Sequence, residues 1–79
     1  MKATVLVRPK DGILDPQGEA TRGALQKLGF QVEETRVGRV FDLEVAATDA
    51  AQAKAEIERM CERLLANPLI ESFEIEIAG

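Results

Sequence analysis

The sequence predicts an α+β domain of ferredoxin-like or closely related type, an antiparallel sheet with two helices on one face. Three observations carry this. Apolar and polar residues alternate near both ends of the chain, as in half-buried strands. Two stretches between them space apolar residues at three and four, each bounded by helix start and stop signals. Each helix then offers one apolar stripe and each strand one apolar face, which a two-layer arrangement buries together. The expected order is strand, helix, bent strand or hairpin, helix, strand, as a single domain over residues 1–79 with no repeat, low-complexity tract or linker.

The first strand is expected at residues 2–8, where Ala3, Val5 and Val7 alternate with Lys2, Thr4 and Arg8. Leu6 interrupts the polar face, so that face is expected to be partly covered. The first helix is expected at residues 15–28. Asp15 is placed to accept from the free amides of the first turn, and Pro16 follows where a missing N–H costs nothing. Ala20, Ala24, Leu25 and Leu28 form its apolar stripe. Gly29 is the left-handed stop, with Phe30 positioned to pack back on the last turn.

Residues 30–47 read as extended. Val32 has one parity and Phe41, Leu43 and Val45 the other, so the chain must shift between them. Val37-Gly38-Arg39 is the expected place, through a tight hairpin or through a bulge in one long strand. Thr48 or Asp49 caps the second helix, which runs to about Ala66 with Ala53, Ile57, Met60, Cys61, Leu64 and Leu65 on one face. Asn67-Pro68 ends it, because a residue before proline leaves the helical region. Phe73, Ile75 and Ile77 alternate with Glu74 and Glu76 as the last strand.

Composition narrows the function. Ten basic and fourteen acidic side chains leave a net charge of −4, which repels a phosphate backbone. Three phenylalanines without tyrosine or tryptophan make a poor base-stacking platform. A nucleic-acid partner is therefore not expected. No apolar run reaches the ~18 residues of a membrane span, and the start shows no signal-peptide core, so no membrane partner is expected either. A cytoplasmic location suits the single cysteine. With one thiol and no histidine, a disulfide or a metal site is not expected. A chain this short draws only about 3–5 kcal/mol from one core, which makes self-association or docking the expected source of further burial.

Few residues invite chemistry. Cys61 lies on an apolar helix face with no histidine to activate it, and reads as a small buried hydrophobe. Lys10, Asp11 and Asp15 could be drawn as an acid–base cluster, but Asp15 has a simpler role as a cap, and turns collect such residues. Gly12 and Gly18 are not followed by Gly-Lys-Ser/Thr, so there is no phosphate loop. Gly18 is unusual in a first helical turn and implies a close backbone neighbour, in this chain or in a partner, with a partner the favoured reading because the core stripe lies elsewhere. Glu74 and Glu76 are expected to face solvent.

The stretches "KDGILDPQGEATRGALQKLGF", "TRVGRVFDLEV" and "LLANPLIESFEIE" resemble the PurS family, the small subunits of phosphoribosylformylglycinamidine synthase. The resemblance covers essentially the whole chain. The pairing of "LDPQG" with a later "LLANPLIE" is its specific part, and lysine would also be expected at Arg39. It implies a non-catalytic subunit, itself dimeric or larger, that bridges a large ligase subunit and a glutaminase subunit in purine synthesis and helps to contain ammonia. ATP, magnesium and glutamine would be used by those partners, with no cofactor in this chain. It supplies no catalytic residue. Together with the residue-level reading, it makes Lys10, Asp15, Gln17, Gly18, Asn67 and Glu71 the expected partner-facing residues. A ligand-binding regulatory module of ACT type shares the element order and is the main alternative. Saturable binding of an amino acid by the isolated chain would mark it.

Overall fold

A computed structural model describes residues 1–78. The elements are β1 (Lys2–Pro9), α1 (Pro16–Lys27), β2 (Arg39–Glu44), α2 (Ala50–Met60), a π-helical turn (Cys61–Leu65) and β3 (Glu71–Ala78). The α+β class and the element order are those expected. The strands form one antiparallel sheet in the order β2-β1-β3. β1 is central, pairing Val5 with Phe41 on one side and with Ile75 on the other.

This register puts the odd-numbered residues of all three strands on one face. Ala3, Val5 and Val7 are buried there, with Phe41, Leu43, Phe73, Ile75 and Ile77 packed around them. α2 lies on this face beside β3 and inserts Ala53 and Ile57, both buried. Fully burying a side chain the size of Ile57 is worth about 1.5–3 kcal/mol. The even-numbered face is open. Thr4 donates to Asp42 across it at 3.1 Å, Arg8 pairs with Glu74 at 3.3 Å, and Glu74 and Glu76 are exposed as expected.

Both helix starts follow their caps. Asp15 accepts from the Gly18 amide at 3.0 Å, and Asp49, rather than Thr48, accepts from the Gln52 amide at 2.8 Å. α1 ends in a Schellman motif. Gly29 has φ +96°, its N–H reaches the Gln26 carbonyl at 3.0 Å, and the Phe30 N–H reaches that of Leu25 at 3.1 Å. The Phe30 ring nevertheless stays 59% exposed.

Three features depart from expectation. First, only α2 packs substantially on the sheet within the chain, whereas both helices were expected there. Ala20, Ala24 and Leu28 of α1 face solvent, Leu28 being 74% exposed, and only Leu25 of the stripe is half-buried. The dimensions agree: a radius of gyration of 15.6 Å exceeds the roughly 12 Å of a compact chain this long, and the molecule measures 49 × 25 × 14 Å. Second, residues 30–38 form neither hairpin nor ladder. The chain bends at Glu33, and Thr35, Val37, Phe41 and Leu43 already share one parity. Gly38 serves close approach instead, since a Cβ there would strike the Val7 carbonyl oxygen. Third, the second helix widens into a π turn, closed by the Ala66 N–H on the Cys61 carbonyl at 3.0 Å. The wider turn carries the buried line from Cys61 to Ala66 and leaves Leu64 83% exposed, though an unbroken α-helix would have kept Leu64 on the core stripe.

Candidate functional site

Two turns that are distant in sequence meet at one end of the sheet. β1 does not stop cleanly at Pro9, because the Lys10 N–H continues to the Ile70 carbonyl at 2.8 Å. The chain then reverses through Gly12, whose φ of +81° suits glycine. The Lys10 ammonium donates to the Pro68 carbonyl at 2.7 Å, pinning the first turn to the last.

The last turn is organised by Asn67. Its side-chain oxygen accepts from the Leu69 N–H at 3.1 Å, and its carbonyl from Ile70 and Glu71 at 3.1 and 2.7 Å. Glu71 closes the loop, one carboxylate oxygen accepting from the Asn67 N–H and from the Arg39 guanidinium, both at 2.8 Å. Arg39 also donates to the Leu65 carbonyl at 3.0 Å, while lying 5.8 Å over the Phe41 ring. The last of these bonds satisfies a carbonyl that the helix end leaves free. Together the bonds hold Leu69, 82% exposed, on a fixed tip beside the half-exposed Ile70.

The first turn is fixed from the other side. One oxygen of Asp15 caps α1 and the other accepts from the Val37 N–H at 2.9 Å. Arg36 reaches Asp11 at 2.9 Å and also donates to the Pro9 carbonyl. Gly18 is buried against the Thr35 carbonyl, so its close neighbour lies in this chain and not, as expected, in a partner, because the segment before β2 crosses the first turn of α1. The Val37 and Gly18 amides, with Arg36 beside them, hold the Asp15 carboxyl below the usual aspartate range.

Lys10, Asn67 and Glu71 thus converge on one turn, whereas Asp15 and Gly18 join α1 to the segment before β2. Gln17 stands exposed on α1, where its carbonyl accepts from the Thr21 hydroxyl. Sequence reasoning missed Arg36 and Thr35 as members of this site and saw Arg39 only as a family position. The partners of Arg36 and Arg39 lie 25 or more residues away, and Gly18 lies well before Thr35 with most of α1 between them, so no local pattern announces them.

The arrangement suits recognition better than bond-making. Asp15 is ionised with both oxygens committed, and Lys10 is held by a carbonyl. Cys61 is buried, and desolvation, then Glu58 and Glu62, push its thiol up, away from the reactive thiolate. Among the described residues, no three histidine, cysteine, aspartate or glutamate side chains gather as metal ligands. No helix among the described residues is long and apolar enough to cross a membrane. What the end of the sheet presents is a pair of mutually pinned turns with apolar tips.

Fold and site together define a small α+β association module. Comparison with known proteins makes this particular. Residues 2–79 match the family model PurS, described as phosphoribosylformylglycinamidine (FGAM) synthase. The chain is 43% identical over 76 residues to phosphoribosylformylglycinamidine synthase subunit PurS of Archaeoglobus fulgidus, covering 95% of each. The crystal structure of Methanocaldococcus jannaschii PurS, one of the subunits of formylglycinamide ribonucleotide amidotransferase, superposes with a TM-score of 0.86 at 38% identity, over 99% of this chain and 95% of that one. A chain in the structure of PurLQS from Thermotoga maritima gives 0.86 at 32% identity, over 95% and 93%. The chain belongs to the PurS family.

Proposed function

We propose that this chain is the non-catalytic small subunit of a phosphoribosylformylglycinamidine synthase, bridging an ATP-dependent ligase subunit and a glutaminase subunit in purine synthesis. The observation that carries the reading is the near-complete match to PurS chains, one of them in the PurLQS structure. The site is consistent with it, since pinned turns present apolar tips without the entropy cost of ordering a loose loop. ATP, magnesium and glutamine act on the partner subunits, in the cytoplasm, and this chain self-associates within the assembly. Lys10, Asn67 and Glu71 shape the partner-facing turn, Asp15 and Gly18 fix its neighbour, and Gln17 borders it.

The test is reconstitution. The purified chain alone makes no amidine product. Adding ligase and glutaminase subunits with ATP and glutamine gives activity and co-elution, and Leu69→Asp weakens both at least tenfold while leaving the fold intact by circular dichroism. Turnover by the chain alone, or failure of the wild type to co-elute, would sink the reading.

A further inference from the structure

One patch of the open sheet face is unlike the rest. Leu6 and Val40 stand opposite each other there, an apolar cross-strand pair ringed by Thr4, Arg8, Asp42 and Glu74. Leu6 is half-buried and Val40 is 63% exposed. The pair helps to line a cavity of about 410 Å³, within the range of small-molecule sites. Arg8, Arg36 and Arg39 line it with Pro9, and none of its lining residues is acidic. Three other cavities of similar volume each have a carboxylate in their walls, Glu56, Asp15 and Asp42 among them. A chain of net charge −4 thus gathers three of its six arginines around one cavity.

We propose that this cavity binds a nucleoside monophosphate, with the phosphate held by Arg8 and Arg36 and the base laid on Leu6 and Val40. The site stands beside the bridging role and does not rest on it. The carboxylates that meet these arginines come from outside the cavity walls. Glu74 lies 3.3 Å from Arg8, both side chains are more than half exposed, and such a pair holds loosely. Asp11 lies 2.9 Å from Arg36 and is fully exposed. Arg8 commits one nitrogen to its partner, leaving most of the five N–H donors of the guanidinium for a phosphate. Arg36 also donates to the Pro9 carbonyl, which fixes its guanidinium beside the cavity before any ligand arrives. Guanidinium and phosphate then match as paired donors and acceptors. The rest of the ligand follows from the apolar pair. Bare phosphate would leave Leu6 and Val40 in water, and an uncharged ring would leave the arginines unanswered. The surrounding polar ring confines the apolar area to two side chains, which suits one flat heterocycle and not the face of a protein. Asp42 and Glu74 on that ring repel a second anionic end, which favours a single phosphate over a longer chain.

The experiment is an NMR titration of the full chain without partner subunits. Adenosine 5′-monophosphate shifts the amides of residues 6–8 and 36–40 saturably, and added salt weakens the binding. Adenosine and inorganic phosphate, given separately, each bind about tenfold or more weakly. Arg8→Gln weakens the nucleotide by about tenfold or more. Val40→Ser weakens the nucleotide and leaves inorganic phosphate unchanged, a split that a damaged fold would not give. Shifts that never saturate or that fall elsewhere in the chain, or an Arg8→Gln chain with wild-type affinity, would overturn the proposal. So would inorganic phosphate binding as tightly as the nucleotide, which marks an adventitious ion only. A glutamate-rich peptide that saturates the same amides where the nucleotide does not would also overturn it, and would mark a protein contact instead. None of these results touches co-elution with ligase and glutaminase, by which the bridging reading is judged.

Discussion

Gly18 allows a test in which the same substitution, made twice in one helix, has opposite effects. Alanine is favoured over glycine in a helix by about 0.8–1.0 kcal/mol. At Gly23 a Cβ meets nothing within 4 Å, so Gly23→Ala should collect that gain. At Gly18 the Cβ would strike the Thr35 carbonyl oxygen and the Asp15 carboxylate. Neither obstacle is a loose side-chain end: one is backbone, and the other is held by two amides. Overpacking of this kind costs about 1–3 kcal/mol. With two fixed obstacles the upper part of that range applies, leaving a net loss of about 1–2 kcal/mol after the propensity gain. In a domain of this size each kcal/mol moves Tm by about 4–8 °C. Gly18→Ala should therefore lower Tm by roughly 4–16 °C, and Gly23→Ala should raise it by roughly 4–8 °C. Calorimetry at one protein concentration measures both, since association couples to stability. Equal stabilisation by the two substitutions would refute the packing argument.

Two further outcomes follow from the titrating groups. The folded state lowers the Asp15 pKa, so its contribution is present above the unfolded value and is lost as pH falls through the folded one. Asp15→Asn should be less stable than the wild type at pH 7, and the gap should close below about pH 4; a gap independent of pH would contradict this. Cys61 is buried with its thiol pushed up, so a thiol reagent at pH 8 should label it only as fast as the protein opens. Fast labelling of the folded chain would disprove that.

Much of the fold was legible because its signals are local. Asp15-Pro16, Asp49 and Gly29 mark helix ends through bonds spanning three to five residues, and β3 shows its buried face by alternation. What stayed hidden depends on distant partners. The π turn moves Leu64 outward by a change of winding that helical spacing cannot show. Gly38 carries the same letter whether it bends a strand or admits the Val7 carbonyl, and only the pairing with β1 decides. The α1 stripe was expected on the sheet, but a stripe does not say whether the chain's own sheet covers it, and here Ala20, Ala24 and Leu28 are exposed. At the site, Lys10, Asn67 and Glu71 were singled out and do converge, whereas Arg36 and Arg39 act through loops folded next to them in space.

Placing the earliest strand in the middle of the sheet constrains how the molecule is made. β1 leaves the ribosome before either neighbour, so one of its edges waits for residues 39–44 and the other for 71–78. Until the final strand emerges, a nascent chain carries a valine-rich strand with an open edge, the kind of surface that aggregates. Pairing across some seventy residues also raises contact order, which slows folding relative to a helical bundle of equal length. Truncation before residue 71 should leave a species that chaperones hold and proteases clear.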